Sequence, residues 1–218
     1  MSLAQARSAR GDLVLRRRDD GALELRANGV FVMDTLETSS ERALATASLA
    51  AVTSPRRVLL AGLGLGFTLQ AVLADSRVEH VRVVELEAAL VSWLHDGLVP
   101  SGPALLDDPR VSVAVVDIAD AVAQTPPGTY DVVLLDVDNG PDFLVHDANA
   151  RLYRAPFLRR CLRLLTGAGV LVVWSMNRST ALVETMASAG GVHVRTQACP
   201  VRLGSRDETY WLHLASAG

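Results

Sequence analysis

The chain has 218 residues, half of them apolar, and a formal net charge of −3. That length predicts one domain of ordinary size, burying roughly 70% of the surface its unfolded form exposes. The mildly acidic balance excludes general nucleic-acid affinity, no apolar run reaches the ~20 residues that span a bilayer, and the N-terminus lacks the apolar core of a signal peptide.

Met1 to Leu3 read as a cloning remnant outside the fold. Residues 12–34, "DLVLRRRDDGALELRANGVFVMD", are short β-type runs broken at Asp20-Gly21 and Asn28-Gly29. Both pairs are hairpin turn signals, so a small antiparallel N-terminal sheet is expected. Arg16, Arg17 and Arg18 read as a solvated strand or turn in preference to a phosphate patch. "TSSERALATASLAAV" then carries a capping-box pattern from Thr38 to Glu41 and a helix that ends before Pro55. Residues 1–54 are therefore assigned to an N-terminal hairpin region plus helix, and 55–218 to a second unit.

In that second unit strand candidates recur at 56–62, 80–86, 110–117, 130–137 and 169–175, nearly all continuously apolar, as strands covered on both faces are. Helical stretches separate them at about 66–75, 87–96, 118–124, 156–165 and 178–189. Five alternations of strand and helix predict a parallel α/β sheet. "GGVHVRTQACPV" and "ETYWLHLAS" follow without a helix between them and predict an antiparallel edge hairpin. Arg159, Arg160 and Arg163 fall on the exposed face of their helix. Cys161 and Cys199 show no metal-ligand spacing and read as reduced thiols of a cytosolic protein.

"AGLGLGFT" places Gly62, Gly64 and Gly66 after the first of these strands, where an open α/β sheet binds its ligand. Glycine lets the backbone turn sharply and approach a ligand closely. Glu85 ends the next strand, 23 residues after Gly62, where a carboxylate can accept from both ribose hydroxyls. Asp117 ends the third, where it can accept from an adenine amino group. Phe67 stands where the dinucleotide fingerprint needs glycine, so nicotinamide dinucleotides are disfavoured. The compact loop, with Leu63, Leu86 and Ile118 flanking these positions, favours S-adenosylmethionine or its decarboxylated form.

With these residues in place, the chain resembles spermidine-synthase-like proteins within the class I S-adenosylmethionine-dependent transferases. The resemblance runs from about Gly11 to Ser216 and rests on "NGVFVMDTLETSSER", "AGLGLG", "VRVVELE", "DDPRVSV", "YDVVLLDVDNGP" and "LYRAPFLRRCLRLLTGAGVLVVWS". It implies a Rossmann-like class I methyltransferase fold: a mostly parallel seven-stranded sheet with helices on both faces, preceded by a small β-sheet. It also implies that Gly62, Gly64 and Gly66 line the methionine moiety, that Asp136 faces the reacting centre, and that the protein is a homodimer in polyamine biosynthesis. Asp136 has a chemical reason to be there. An aliphatic amine is protonated at neutral pH, so a carboxylate must hold the ammonium and take its proton before the nitrogen can attack.

The sequence departs from that family at its acceptor positions. Leu65 replaces an aspartate of the glycine loop, and Asn139 replaces a second one, with Asp138 one residue earlier. Ser39 and Ser40 stand where the family has Gln, Tyr and His nearby. These departures favour methyl transfer to an unidentified small-molecule acceptor, with Asp136 and Asp138 catalytic and no metal. Aminopropyl transfer to a polyamine and non-catalytic nucleotide binding are the alternatives. Asp142 and Asp147 are candidate replacements for the missing carboxylates, and His146 reads as a solvated loop residue. "LLDVDN" suggests the Asp-x-Asp of metal-dependent O-methyltransferases, but "WSMNRS" offers Asn177 and no further carboxylate for a hard cation.

Overall fold

The computed structural model describes residues 1–204 and 206–216 and, of Leu203, only the backbone. The N-terminal strands β1 (Ser2–Ser8), β2 (Gly11–Arg17), β3 (Leu23–Ala27) and β4 (Val30–Asp34) form an antiparallel meander in that order. The two expected turns are present. Asn28 and Gly29 both sit at positive φ, 52° and 78°, as the tight hairpin turn between β3 and β4 requires. β1 corrects the sequence reading of the first residues: Ser2 pairs with Arg16 and Ser8 with Gly11.

Helix α1 (Ser39–Ala50) follows, but the capping box does not form. The Thr38 hydroxyl accepts from Arg42 Nε at 3.2 Å, which leaves Glu41 free to turn elsewhere.

The second sheet has β5 (Arg57–Ala61), β6 (His80–Glu85), β7 (Val111–Val115), β8 (Tyr130–Leu135), β9 (Leu165–Ser175), β10 (Val192–Leu203) and β11 (Arg206–Ser216). Their order is β10-β11-β9-β8-β5-β6-β7. β9, β8, β5, β6 and β7 are parallel, and β11 joins them antiparallel between β9 and β10. Strand order reverses between β5 and β8, and there the carboxyl ends open a crevice.

The helices α2 (Phe67–Leu73), α3 (Ala88–His95), α5 (Ile118–Gln124), α6 (Ala155–Leu164) and α7 (Thr180–Ser188) match the expected stretches. Between α3 and α5 lies a five-residue helix, α4 (Gly102–Leu106), that the sequence reading lacks.

Successive residues of β5 show why these strands are apolar throughout. Leu60 points into one core with Leu15, Leu44, Leu69 and Leu94, and Leu59 into the other with Val84, Leu158 and Met186. The N-terminal sheet shares the first of these cores. On α6, Phe157, Leu158, Cys161 and Leu162 face inward while Arg159, Arg160 and Arg163 are exposed, as expected. Cys161 and Cys199 are both buried and free.

Candidate active site

At the switch point the strand tips are laced together by main-chain bonds. The Gly62 N–H donates to Val84 O at 2.9 Å, and the Asp136 N–H to Ala61 O at 2.9 Å. Gly62 has φ +92°, and a Cβ there would stand 2.1 Å from Asp136 O. Bare backbone at Gly62 is therefore needed first for one strand tip to cross another. Gly64 faces the sulfur of Met33, 2.7 Å from where its Cβ would lie. Gly66 is at the N-terminus of α2 with φ +88° and packs towards Leu94 and Leu105; it lines neither cavity described below. That differs from the role the resemblance gave it.

A cavity of about 190 Å³ opens beside this loop, bordered by Gly62, Gly64, Glu85, Asp117 and Asp136. Leu86 and Ile118 also line it. Glu85 is 7% exposed, and one of its oxygens accepts from Leu63 N at 2.8 Å. The other accepts from Leu86 N at 2.7 Å and Glu87 N at 2.8 Å. Burial raises its pKa despite these three N–H donors. Glu85 thus clamps the glycine loop to the tip of β6, a structural task its position at a strand end did not reveal.

Asp117 lies two residues beyond β7, where it caps α5 by accepting from Ala119 N at 2.8 Å. Its other oxygen takes Arg151 in an ion pair, with Arg10 at 3.7 Å. Sequence alone gives no sign of either arginine. Arg10 lies 107 residues away in the chain, in the turn between β1 and β2.

A second cavity, of about 130 Å³, adjoins the first, and Gly64, Asp136 and Asp138 border both. Leu63 lines this one. The Thr68 hydroxyl, 2% exposed in the first turn of α2, donates to Asp136 Oδ2 at 2.8 Å. Burial pushes the Asp136 carboxyl up to about 6; the Thr68 bond opposes that, and the charge of Glu85 adds to it. From the other side α1 presents Glu41, which burial and the neighbouring Asp136 push up to about 7. Two carboxylates thus border one cleft, and the charge of Asp136 makes Glu41 harder to ionise. Glu41 was the residue that sequence reasoning missed. Its place in a capping-box pattern concealed it, because that pattern assigns the side chain to local backbone.

Asp138 has a different surrounding. It holds φ +85° and accepts from Val145 N at 2.6 Å and from the Asn149 amide at 2.7 Å, with His146 N at 3.3 Å. Its carboxylate organises the loop that follows β8, and the Tyr153 hydroxyl closes that loop on Val137 O at 2.9 Å. Trp174 and Tyr210 also line the second cavity, edge to face at 5.0 Å.

The spermine/spermidine synthase domain model matches residues 37–197 of this chain. The chain belongs to that family. Polyamine aminopropyltransferase 2 of Ralstonia nicotianae is 31% identical over 163 residues, 74% of this chain and 31% of that protein. Putrescine N-methyltransferase 4 of Nicotiana tabacum is 28% identical over 70% of this chain and 36% of its own length. The chain thus spans about a third of the length of these two relatives. The crystal structure of spermidine synthase from Thermotoga maritima superposes with a TM-score of 0.84 at 17% identity, over all of this chain and 73% of that one, which shows a shared fold. Within this family's frame Leu65 stands out. It is fully buried beneath the glycine loop and presents no polar group to either cavity.

Proposed function

We propose that the first cavity takes decarboxylated S-adenosylmethionine and that the chain transfers its aminopropyl group to an amine held in the second. Gly62 and Gly64 leave room for the thioether end, Glu85 stands beside the ribose position, and Asp117, held by Arg10 and Arg151, stands at the adenine end. The observation that carries the reading is the Glu41–Asp136 pair at the junction of the two cavities, with no basic side chain among the residues lining the second. Such a cleft suits an ammonium and a sulfonium together and offers nothing to a carboxylate, which favours the decarboxylated nucleotide.

When bound, the nucleotide supplies an electrophilic carbon next to a positively charged sulfur. The chain's own groups do the rest. Glu41 and Asp136 hold the acceptor ammonium, and Asp136 takes its proton so that the nitrogen lone pair can attack. Thr68 fixes the Asp136 rotamer. A new N–C bond forms as the C–S bond breaks, and methylthioadenosine leaves with the sulfur electron pair. Asp138 is a positioning residue that shapes the acceptor loop.

The test is mass spectrometry of the products when purified chain is incubated with an amine panel and either nucleotide. Aminopropylated amine with methylthioadenosine, from the decarboxylated nucleotide alone, is expected. Methylated amine with S-adenosylhomocysteine would establish the second reading, methyl transfer. The sequence favoured that reading, and the similarity to a putrescine N-methyltransferase supports it.

A further inference from the structure

The turn between β1 and β2 reaches the first cavity, and its backbone is braced from two sides. Asn28, at positive φ in a neighbouring turn, donates from its amide to Arg10 O at 3.0 Å and accepts from Asp12 N at 2.9 Å. Ser8 Oγ accepts from Arg10 N at 3.0 Å and donates to Glu87 Oε1, beyond the tip of β6, at 3.0 Å. From this base the Arg10 side chain spans two loops of the second sheet. Its Nη1 donates to Asn149 Oδ1 at 2.9 Å, and its Nη2 lies 3.7 Å from Asp117 Oδ2. Asn149 is buried and donates in turn to Asp138 Oδ2 at 2.7 Å. Asp138 holds the Val145 and His146 amides, and Val145 lines both cavities. A continuous line of polar contacts therefore runs from Asp117 through Arg10 and Asn149 to Asp138.

Resting on the nucleotide reading of the first cavity, we infer that Arg10 is a positioning residue that couples filling of that cavity to the order of the loop from Asp138 to Asn149. A guanidinium can only donate and a carboxylate can only accept, so Arg10 and Asp138 together fix which end of the Asn149 amide faces which. Asp138 holds φ +85°, a conformation that a residue with a side chain keeps only where its surroundings impose it. The Asn149 amide is one of those surroundings, and Arg10 orients it. A nucleotide in the first cavity displaces water from around Arg10 and Asp117, and hydrogen bonds to charged groups strengthen where water is excluded. The clasp then tightens on the loop. Without Arg10 the cavity can fill, but the loop stays as loose as before.

The experiment is hydrogen–deuterium exchange of the full chain at the Val145 and His146 amides, with and without saturating methylthioadenosine, in the parent, Arg10→Ala and Asn149→Ala. Without nucleotide both variants should exchange there faster than the parent by about tenfold, while the amides of β5 and β8 stay as they are. Nucleotide should slow these amides by about tenfold in the parent and by less than about twofold in Arg10→Ala, at concentrations that calorimetry shows to saturate both. Equal slowing in the parent and Arg10→Ala would mean that the nucleotide shields the loop directly, and overturns the inference. So does a loop that exchanges alike in parent and variants without nucleotide. Should Arg10→Ala loosen the whole chain, Arg10→Lys decides: it keeps one donor for Asn149 but cannot span both partners, so it should restore part of the protection, and no restoration counts against the clasp. The nucleotide reading fails separately, if methylthioadenosine does not bind the parent, and the exchange difference without nucleotide still tests the clasp.

Discussion

The two cavities meet at Asp136, yet they are built in different ways. The first sets strand tips of one sheet, those of β5, β6, β7 and β8, against Arg10, Leu13, Leu25, Ala27 and Val32 of the N-terminal sheet, with Glu85 tying the glycine loop to its neighbour. The second is assembled from β4, α1, α2, β9 and β11, elements that the chain places far apart in sequence. Sheet topology dictates Gly62, Glu85, Asp117 and Asp136 in the first, so chain position points to those residues, whereas Arg10 and the N-terminal strands reach it through tertiary packing. The second depends on how α1 and the edge hairpin pack over the sheet, so its chemistry can change without disturbing the nucleotide side.

The largest break in that comparison should come where the cavities join. Asp136→Asn keeps the size and the Thr68 contact but cannot take a proton, so transfer should fall by about 10²–10⁴-fold. Nucleotide affinity should change by less than about tenfold, as read by methylthioadenosine release and by calorimetry. Equal losses in both would mean that Asp136 only supports the fold.

Gly62→Ala should act on the nucleotide side. The added methyl meets Asp136 O at a positive φ, and we expect about 2–4 kcal/mol of destabilisation, visible as a lower Tm, with loss of nucleotide binding.

Glu41→Gln should act on the acceptor side, with a pH signature. The native Glu41 carboxyl is raised to about 7 from 4.5, so between those values the folded chain binds more protons than the unfolded one. Its stabilising contribution is complete below pH 4.5 and is lost as pH rises through 7. The variant should therefore be more stable than the parent at pH 8, by about 1–3 kcal/mol after allowing for partial solvent access, and little changed at pH 4.5. Amine affinity should drop by about tenfold or more while methylthioadenosine affinity holds. Denaturant melts at the two pH values and calorimetry check both halves. In the parent, transfer should rise with pH through about 6 as Asp136 ionises.

The smallest effect is expected at the adenine end. Asp117→Ala removes the α5 cap, worth about 1 kcal/mol, and releases Arg10 and Arg151, so nucleotide affinity should weaken by a few-fold without altering acceptor preference.

What the sequence disclosed follows the same division. β5, β6, β8 and β9 were legible because strands buried on both faces read as unbroken apolar runs, and Glu85 and Asp136 because they end such runs. Asp20-Gly21 and Asn28-Gly29 marked their hairpins through turn chemistry. β1 escaped because most of its side chains are exposed or half-buried, leaving no apolar alternation to detect. α4 escaped because five residues that include Gly102 and Pro103 carry no helical period. On the acceptor side, Glu41 looked local and proved tertiary, since Thr38 pairs with Arg42 and frees it. Trp174 and Tyr210, read only as members of strand candidates, form a cavity wall. The departures at Leu65 and Asn139 suggested a depleted acceptor site, yet packing of α1 brings a further carboxylate, Glu41, to the second cavity from another direction.

A crystal structure of the chain with methylthioadenosine tests the central claim most directly. The account predicts the sulfur beside Gly62 and Gly64, the ribose hydroxyls within hydrogen-bond reach of Glu85, and the open side of the sulfur towards Asp136 and Glu41. A nucleotide bound elsewhere, or one whose sulfur faces away from Asp136, would contradict it.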